Sequence, residues 1–217
     1  MTIENIKKYI NNYKKEGLKL FITSSFQTHS IPLLHIISQI DNSIPVYFIN
    51  TGFLFPESLI FRDEIVALLH LNLKSVSSSV SRMYQKDCHG NFLFTSDPDR
   101  CCFLNKTQPM ETVLAANDVW INGIRADQNA NRKNMQIEQD GAFNCKRFHP
   151  VLDWNNKMIF DYIKKYNLPK HPLESKGYLS IGCEPCTQKF NAANDRSGRW
   201  AGLNKTECGL HTDLAGK

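Results

Sequence analysis

The 217-residue sequence lacks any run of apolar residues that approaches the ~20 needed to span a bilayer as a helix. Its first residues are charged and amphipathic, without the apolar stretch and cleavage site of a secretory signal. No internal repeat or low-complexity segment stands out. We therefore expect a soluble, unexported protein of the reducing cytoplasm, where cysteines serve more often as metal ligands, catalytic groups or core residues than as disulfides.

The sequence also lacks a strong charge imbalance and a glycine-rich phosphate loop. Lys and Arg total 26 against 21 Asp and Glu, which gives a formal net charge of +5. This mild excess suits a small anionic ligand, but it falls short of the dense basic stripe of a nucleic-acid-binding protein. The absence of a Walker sequence argues against a P-loop nucleotide hydrolase.

Short apolar stretches alternate with helical periodicity along most of the chain. The patterns predict strands at 18–23, 45–49, 73–76 and 119–123, and helices at 2–16, 31–40, 56–71 and 160–166. Such alternation is typical of right-handed βαβ units around a parallel sheet. We therefore predict a single α/β domain over residues 1–190, with a mostly parallel twisted sheet flanked by helices, and a loop-rich, mobile C-terminal tail over 191–217.

The turn after the first predicted strand is rich in hydroxyl groups, with five of them between residues 23 and 30. Open α/β sheets bind ligands at the carboxyl ends of their strands, and a helix N-terminus with nearby hydroxyls can hold phosphate or sulfate. An ordinary polar turn capped by Ser or Thr explains the same pattern. This segment alone therefore leaves the function open.

The seven cysteines are more informative. Cys101 and Cys102 are adjacent, and Cys183 and Cys186 form a C-x-x-C motif. Four thiolates fit tetrahedral zinc or an iron–sulfur cluster. Adjacent ligands are unusual for structural zinc, whereas neighbouring cysteines can each bind a different iron of a cluster. The alternative is a redox disulfide between Cys183 and Cys186, with Cys101 and Cys102 merely buried.

A further cysteine, Cys208, lies near the end of the sequence between a lysine and His211. Neighbouring cations lower the pKa of a thiol and favour nucleophilic attack, although an incidental surface cysteine would look the same. Arg125 follows the fourth predicted strand, and Arg196 and Arg199 lie upstream of Cys208. Each arginine alone is compatible with a solvated charge pair, but together with the hydroxyl-rich turn they predict an anion clamp.

Together these motifs resemble the iron–sulfur adenylyl-sulfate (APS) reductases of the phosphoadenylyl-sulfate (PAPS) reductase family, which has an adenine nucleotide α-hydrolase-like fold. The resemblance covers roughly residues 18 to 213 and rests on the order of the cysteine pair, the C-x-x-C motif and residues 205–211. Residues 25–30 resemble the family's pyrophosphate loop, and residues 123–128 resemble its arginine loop. Residues 48–52 resemble its second nucleotide-binding turn, with Asn50 where Asp is more usual.

The resemblance implies thioredoxin-dependent reduction of adenylyl sulfate to sulfite and AMP in sulfate assimilation, through attack by Cys208 and an S-sulfocysteine intermediate. It implies His211 and Lys106 as further catalytic groups. It also implies one 4Fe-4S cluster held by Cys101, Cys102, Cys183 and Cys186. The substrate-binding residues that it implies are Ser24, Ser25, Phe26, Gln27, Thr28, Ser30, Asn50, Thr51, Gly52, Arg125, Arg196 and Arg199. Cys88 and Cys145 match no motif of the family.

The expected partners are adenylyl sulfate and a separate thioredoxin or glutaredoxin-type reductant. Plant-type members of the family add a thioredoxin-like domain at the C-terminus, whereas this sequence stops at Lys217. Neither nucleic acid nor a membrane is expected as a partner, and a homo-oligomer is left open.

Three alternative functions remain at this point. One is a reductase that prefers 3′-phosphoadenylyl sulfate. Another is an ATP pyrophosphatase of the tRNA-thiolating type, although such enzymes usually have Gly and Asp in the pyrophosphate loop and residues 24–30 contain neither. The third is a zinc-stabilised nucleotide-binding module.

Overall fold

The computed structural model describes residues 1–189, 198–200, 209–211 and 214. The strands among them are β1 (Leu20–Thr23), β2 (Val46–Ile49), β3 (Leu73–Val76), β4 (Val119–Ile121), β5 (Glu138–Gln139) and β6 (Lys146–Phe148). The α-helices are α1 (Ile3–Lys15), α2 (Ile31–Asp41), α3 (Pro56–Leu69), α4 (Leu93–Ser96), α5 (Pro98–Cys102), α6 (Gln108–Ala115), α7 (Ala130–Lys133) and α8 (Asn156–Lys165). None of these helices is both long and apolar enough to cross a membrane.

The strands form one sheet in the order β3-β2-β1-β4-β6-β5. Neighbouring strands are parallel except for β5, which runs antiparallel to β6. The chain moves outward from β1 through β2 to β3 and then returns to β4 on the other side of β1. The strand order therefore reverses between β1 and β4, which is where open sheets of this kind bind ligands.

Different parts of the chain cover the two faces of the sheet, because side chains alternate along each strand. Ile22 of β1 packs into a cluster with apolar residues of α1, α2, α3 and α8. Phe21 packs on the other face with Trp120 of β4 and with α6. The Trp120 ring nitrogen donates a 2.7 Å hydrogen bond to the Thr23 hydroxyl. The two central strands are thus held from both faces, and the loops after them start from fixed positions.

The predicted fold class is confirmed, and each predicted strand and helix is present with ends shifted by at most a few residues. In α1, for example, three of the four apolar residues at helical spacing are buried, namely Ile6, Ile10 and Tyr13, whereas Ile3 is exposed; the Thr2 hydroxyl caps the first turn. The prediction missed β5, β6 and the helical segment 93–115. Strand β4 is as short as β6 but is entirely apolar, whereas β5 (Glu-Gln) and β6 (Lys-Arg-Phe) consist mainly of charged or polar residues and gave no recognisable signal.

The described parts of the predicted tail pack against the rest of the domain. The Trp200 N–H donates to the Cys186 carbonyl at 3.0 Å, and the Gln188 N–H donates to the Gly198 carbonyl at 2.7 Å. Leu214 is buried in the cluster that contains Phe21. The predicted division of the chain at residue 190 stays a prediction.

Candidate functional site

A cleft of about 540 Å³ lies at the carboxyl ends of β1, β2 and β4, where the strand order reverses. Its walls comprise the turn after β1, the ends of β2 and β4, and residues 179–183 and 199–200. Apolar side chains line it next to α2 and β2, namely Leu33, Leu34, Phe48 and Ile49. The cleft therefore joins an apolar region to a polar one, as a nucleotide site requires.

The turn after β1 presents four of its predicted ligand residues to the cleft: Ser24, Ser25, Gln27 and Ser30. The Ser24 hydroxyl accepts the N–H of Phe26 at 3.0 Å, and the Gln27 amide donates to the Ser25 hydroxyl at 3.2 Å. The Ser25 and Ser30 hydroxyls lie 3.4 Å apart. The turn therefore brings several hydroxyls to one wall of the cleft.

Two other predicted ligand residues of this turn, Phe26 and Thr28, support it without lining the cleft. Phe26 is fully buried with a left-handed φ of 54°, and its ring packs edge-on against Phe48 at 5.7 Å. The Thr28 hydroxyl donates to the Glu174 carboxylate at 2.5 Å and accepts the N–H of His171 at 3.0 Å. The structure thus places both side chains away from the ligand space.

In the turn after β2, Thr51 lines the cleft, while Asn50 and Gly52 shape the backbone. The Asn50 side chain accepts the N–H of Gly52 at 3.0 Å. Gly52 has a φ of 72°, and a Cβ there would lie 2.8 Å from Arg82 Cδ. The Thr51 hydroxyl, which is buried, lies 3.3 Å from Cys183 Sγ and so connects this turn to the cysteines.

Arg125 forms part of the cleft wall after β4 and is 3% exposed. Its Nε and Nη2 donate to the two Asp127 carboxylate oxygens at 3.0 and 3.4 Å. Nη2 also donates to Asn156 Oδ1 at 2.5 Å. Nη1 is buried and finds no hydrogen-bond partner among the residues that the structure describes. A buried guanidinium nitrogen without an acceptor beside a cleft suits an anionic ligand.

The polar cleft residues that were not predicted as ligands include Asn122 and Arg132. Asn122 is 2% exposed, and the described residues offer a partner neither to its amide nitrogen nor to its amide oxygen. Asn122 directly follows the apolar strand β4, and a polar residue at the carboxyl end of a parallel strand is in the usual position of a ligand-binding residue, so it could have been predicted. Arg132 is buried in the short helix α7 and donates to Gln128. It ends the arginine-containing segment 123–132 after β4, although only Arg125 of that segment was predicted to bind the substrate.

The four cysteines predicted to hold a metal line one small cavity of about 10 Å³: Cys101, Cys102, Cys183 and Cys186. No disulfide joins Cys183 to Cys186. In the described part of the chain, no three His, Cys, Asp or Glu side chains are grouped so that they could hold a single metal ion. Burial, and then the neighbouring thiols, raise the pKa of Cys101 to about 11 and hold the pKa of Cys186 above its ordinary value.

A π-helical turn (Phe103–Thr107) follows α5 and helps to position the cysteine pair. Such turns often occur at functional sites. Asn105 in this turn is buried and donates to the Cys101 carbonyl at 2.9 Å, with its nitrogen 3.6 Å from Cys101 Sγ. Two reciprocal hydrogen bonds of 3.0 and 2.6 Å tie the Asn105 amide to the buried amide of Gln85. A polar network therefore holds Cys101 in place.

Lys106 lines both the large cleft and the cysteine cavity. Its positive charge opposes the burial that raises the pKa of Cys186, and Arg199 acts in the same direction. Arg199 lines the cleft, donates to the Ile181 carbonyl at 3.2 Å, and lies over the Trp200 ring at 4.4 Å. Lys106 and Arg199 thus place positive charge where the cleft and the cysteines meet.

The predicted residues Cys208 and Arg196 lie outside the described residues, and of His211 only the backbone is described. Leu210, which lies near Cys208 in sequence, lines the cleft. Of the two cysteines without a predicted role, Cys88 is exposed and Cys145 is buried with Trp120 and α6. Neither of these two lines the cleft or the cysteine cavity.

Comparisons with known proteins show which family and fold the chain is similar to. Residues 19–189 match the phosphoadenosine phosphosulfate reductase domain. The adenosine 5'-phosphosulfate reductase of Bacillus mycoides (strain KBAB4) is 38% identical over 204 residues, which is 93% of this chain and 86% of that protein. The phosphoadenosine 5'-phosphosulfate reductase of Gloeobacter violaceus (strain ATCC 29082 / PCC 7421) is 37% identical over 200 residues, 90% of this chain and 83% of that protein.

The fold also matches a solved structure. The phosphoadenylyl-sulfate reductase of Candida auris, crystallised as a phosphate complex, superposes with a TM-score of 0.67 at 19% identity, covering 84% of this chain and 94% of that one. At this identity the likeness concerns the fold, whereas the domain match and the two relatives concern the sequence itself. The chain therefore belongs to the phosphoadenosine phosphosulfate reductase family.

Proposed function

We propose that this protein reduces adenylyl sulfate to sulfite and AMP in sulfate assimilation. The observation that carries the proposal is the shared wall between the cleft and the cysteine cavity, formed by Lys106 and Cys183. An anionic thiolate that attacks an anionic sulfate needs positive charge at this position. Relatives named adenosine 5'-phosphosulfate reductase, at 36–38% identity, support the same activity.

We infer that Cys101, Cys102, Cys183 and Cys186, which line the cysteine cavity, would hold a 4Fe-4S cluster. Iron-bound thiolates carry negative charge, and donors or cations beside them offset it. The Thr51 hydroxyl lies near Cys183 Sγ, and the Asn105 amide lies near Cys101 Sγ. When bound, the cluster would order the two cysteine segments and tune the electrostatics of the adjacent cleft, and it would not need to change its own oxidation state.

In the proposed first step, the thiolate of Cys208 attacks the sulfur of adenylyl sulfate. A sulfur–sulfur bond forms, the bond from that sulfur to the phosphate oxygen breaks, and AMP leaves with the electron pair. Cys208 then carries an S-sulfocysteine. The positive groups proposed to offset the repulsion between thiolate and substrate are Lys106, Arg125, Arg196, Arg199 and His211.

In the proposed second step, a thiolate of a separate thioredoxin or glutaredoxin-type protein attacks the Cys208 sulfur. Sulfite leaves with the electron pair of the broken sulfur–sulfur bond, and a mixed disulfide forms. The second thiol of the reductant then attacks the sulfur of the reductant's first cysteine in the mixed disulfide. Cys208 leaves as a thiol, and the reductant is left with a disulfide between its two cysteines. The tail would close over the substrate for the first step and open for the second. A cytoplasmic location would supply this reductant.

Intact mass spectrometry tests this proposal on protein incubated with adenylyl sulfate and no reductant. We expect a sulfonate adduct on the natural chain and on Cys88→Ser, and none on Cys208→Ser. Iron and acid-labile sulfide should be present, and Cys183→Ser should lose both. Zinc without sulfide would contradict the cluster. Splitting of ATP to AMP and pyrophosphate, with no sulfite formed, would contradict the activity.

A preference for 3′-phosphoadenylyl sulfate is the second candidate. The relative from Gloeobacter violaceus is named for the phosphorylated substrate, yet it is about as similar to this chain as the relative from Bacillus mycoides. Sequence identity therefore does not choose between the two nucleotides. Sulfite release measured with each nucleotide decides between them, and we expect faster release from adenylyl sulfate.

A further inference from the structure

One buried histidine joins two elements that border the cleft. His171 is 2% exposed, and its backbone N–H donates to the Thr28 hydroxyl at 3.0 Å in the 3-10 turn (Thr28–Ser30). Its Nε2 lies 3.0 Å from the Ser58 hydroxyl in the first turn of α3. The ring also packs edge-on against Phe61 at 5.1 Å. His171 therefore connects the hydroxyl-rich turn after β1 to the start of α3.

The hydrogen bonds of His171 determine which ring nitrogen carries the hydrogen. The backbone N–H of Leu173 donates to Nδ1 at 3.2 Å, so Nδ1 is the acceptor nitrogen without a hydrogen. Burial lowers the pKa of His171 to about 4, so the ring is neutral at neutral pH. A neutral imidazole has one N–H, which must then lie on Nε2. Nε2 therefore donates to the Ser58 hydroxyl.

Ser58 consequently retains its own hydroxyl hydrogen for another acceptor. A serine hydroxyl has one hydrogen and two lone pairs, and here a lone pair accepts from His171. Among the described residues, none accepts the Ser58 hydrogen. Ser58 is 6% exposed and lines the cleft. The Ser58 hydroxyl hydrogen is therefore available to an acceptor that binds in the cleft.

The cleft wall next to the start of α3 is mostly apolar, and the hydroxyl of its polar residue Thr51 already accepts the N–H of Phe53 and lies 3.3 Å from Cys183 Sγ. Three apolar side chains line it there: Phe48 near the end of β2, Leu54 just before α3, and Leu33 in α2. The guanidinium of Arg125 and the serine hydroxyls after β1 lie instead at the central strands. An apolar region with one fixed donor suits a flat heterocycle whose ring nitrogens accept hydrogen bonds, whereas phosphate or sulfate would seek the charged side.

We propose that Ser58, positioned by His171, donates a hydrogen bond to a ring nitrogen of the adenine of the substrate. This inference rests on the proposed function, because it takes the ligand to be an adenine nucleotide. Ser58 is then a binding residue for the base, and His171 is a positioning residue that directs the serine hydrogen into the cleft.

Calorimetric titration of the full chain with AMP and with its 1-deaza, 3-deaza and 7-deaza analogues tests the proposal. Each analogue replaces one ring nitrogen acceptor with a C–H group. The natural protein should bind one of the three about five- to tenfold more weakly than AMP, as expected for one neutral hydrogen bond. Ser58→Ala should bind AMP more weakly by the same factor and should no longer distinguish AMP from that analogue. Ser58→Thr should keep the distinction.

Ser38→Ala is the matched control, since Ser38 is a half-buried serine of α2 whose hydroxyl donates to the His35 carbonyl outside the cleft. It should bind all four ligands as the natural protein does. His171→Phe keeps a ring against Phe61 but lacks the Nε2 donor. It should lower the ratio between analogue and AMP dissociation constants toward one, whereas a purely structural defect would weaken both ligands equally. If this variant does not fold, the two Ser58 variants decide.

Two results would overturn the proposal. If Ser58→Ala binds AMP normally, or keeps the distinction between AMP and every analogue, Ser58 does not contact the base, even though the natural protein still releases sulfite. If the natural protein neither binds AMP nor releases sulfite from adenylyl sulfate, the proposed function fails, and the assignment of Ser58 fails with it. Sulfite release thus separates the two failures.

Discussion

Replacing Arg125 with glutamine separates the two sets of contacts that this buried guanidinium can make. In the free protein, Nε and Nη2 bind Asp127 and Asn156, while the buried Nη1 has no partner within the described part of the chain. Glutamine is uncharged and shorter, so it can replace at most one of these bonds. A bound nucleotide would lose the charged donor that Nη1 offers to its phosphate.

The expected magnitude follows from these contacts. A hydrogen bond to a charged group is worth about 1.5–3 kcal/mol, so the Kd of AMP should rise about 10- to 150-fold in Arg125→Gln. The free energy of unfolding should fall by only about 1 kcal/mol, because the side chain of Asp127 is 32% exposed and recovers water when its partner is lost. Binding should therefore suffer more than folding.

Calorimetry with AMP and urea unfolding measure the two quantities on the same preparation. Lys157→Gln is the charge-matched control, because Lys157 is next to Asn156 in sequence but is 83% exposed and pairs with Asp161. Its AMP affinity should match that of the natural protein. An Arg125→Gln variant that binds AMP as tightly as the natural protein would refute the assignment of Nη1 to the ligand. An equal loss in Lys157→Gln would attribute the effect to net charge.

Three other predictions concern the tail and the buried histidines. Gly182→Ala should displace Arg199, because a Cβ at residue 182 would lie 2.5 Å from Arg199 Cζ. The KM for adenylyl sulfate should then rise while the melting temperature stays constant. An unchanged KM would exclude Arg199 from substrate binding. Leu214→Ala removes the buried Leu214 side chain, which packs the tail against the cluster that contains Phe21. Mass spectrometry should therefore show slower S-sulfocysteine formation, while the Kd of AMP stays constant. A higher Kd of AMP would instead place Leu214 in the cleft. Burial lowers the pKa of His149 and His171 from 6.5 to about 4, so the unfolded chain takes up protons first as the pH falls. The free energy of unfolding should therefore be unaffected by these two histidines above pH 6.5. Between pH 6.5 and about 4 it should decrease by about 1.4 kcal/mol per pH unit for each histidine. Urea titrations that give the same free energy of unfolding across this range would contradict the neutral, buried state.

The central strands and the long helices could be predicted because each shows a long enough apolar run or helical period. The edge of the sheet could not. Strand β6 has three residues, and its Arg147 is fully buried with its guanidinium 5.1 Å from the Trp120 ring. A charged residue in so short a segment indicates surface when only the sequence is known. The segment with α5 and the π-helical turn was missed for a related reason, because it directs cysteines and Asn105 inward instead of an apolar stripe.

The sequence by itself determined the chemical groups of the candidate site. The cysteine pair, the C-x-x-C motif, the hydroxyl-rich turn and the arginines are all evident from residue type and local spacing. Only the tertiary structure decided which of these groups meet. It brings two distant cysteine segments to one cavity, places Lys106 in the wall shared with the cleft, and turns Phe26 and Thr28 away from the ligand space. Local spacing defines a short turn, but packing between distant segments decides which side chains face a common space and which hydrogen, as in Ser58, is left to donate.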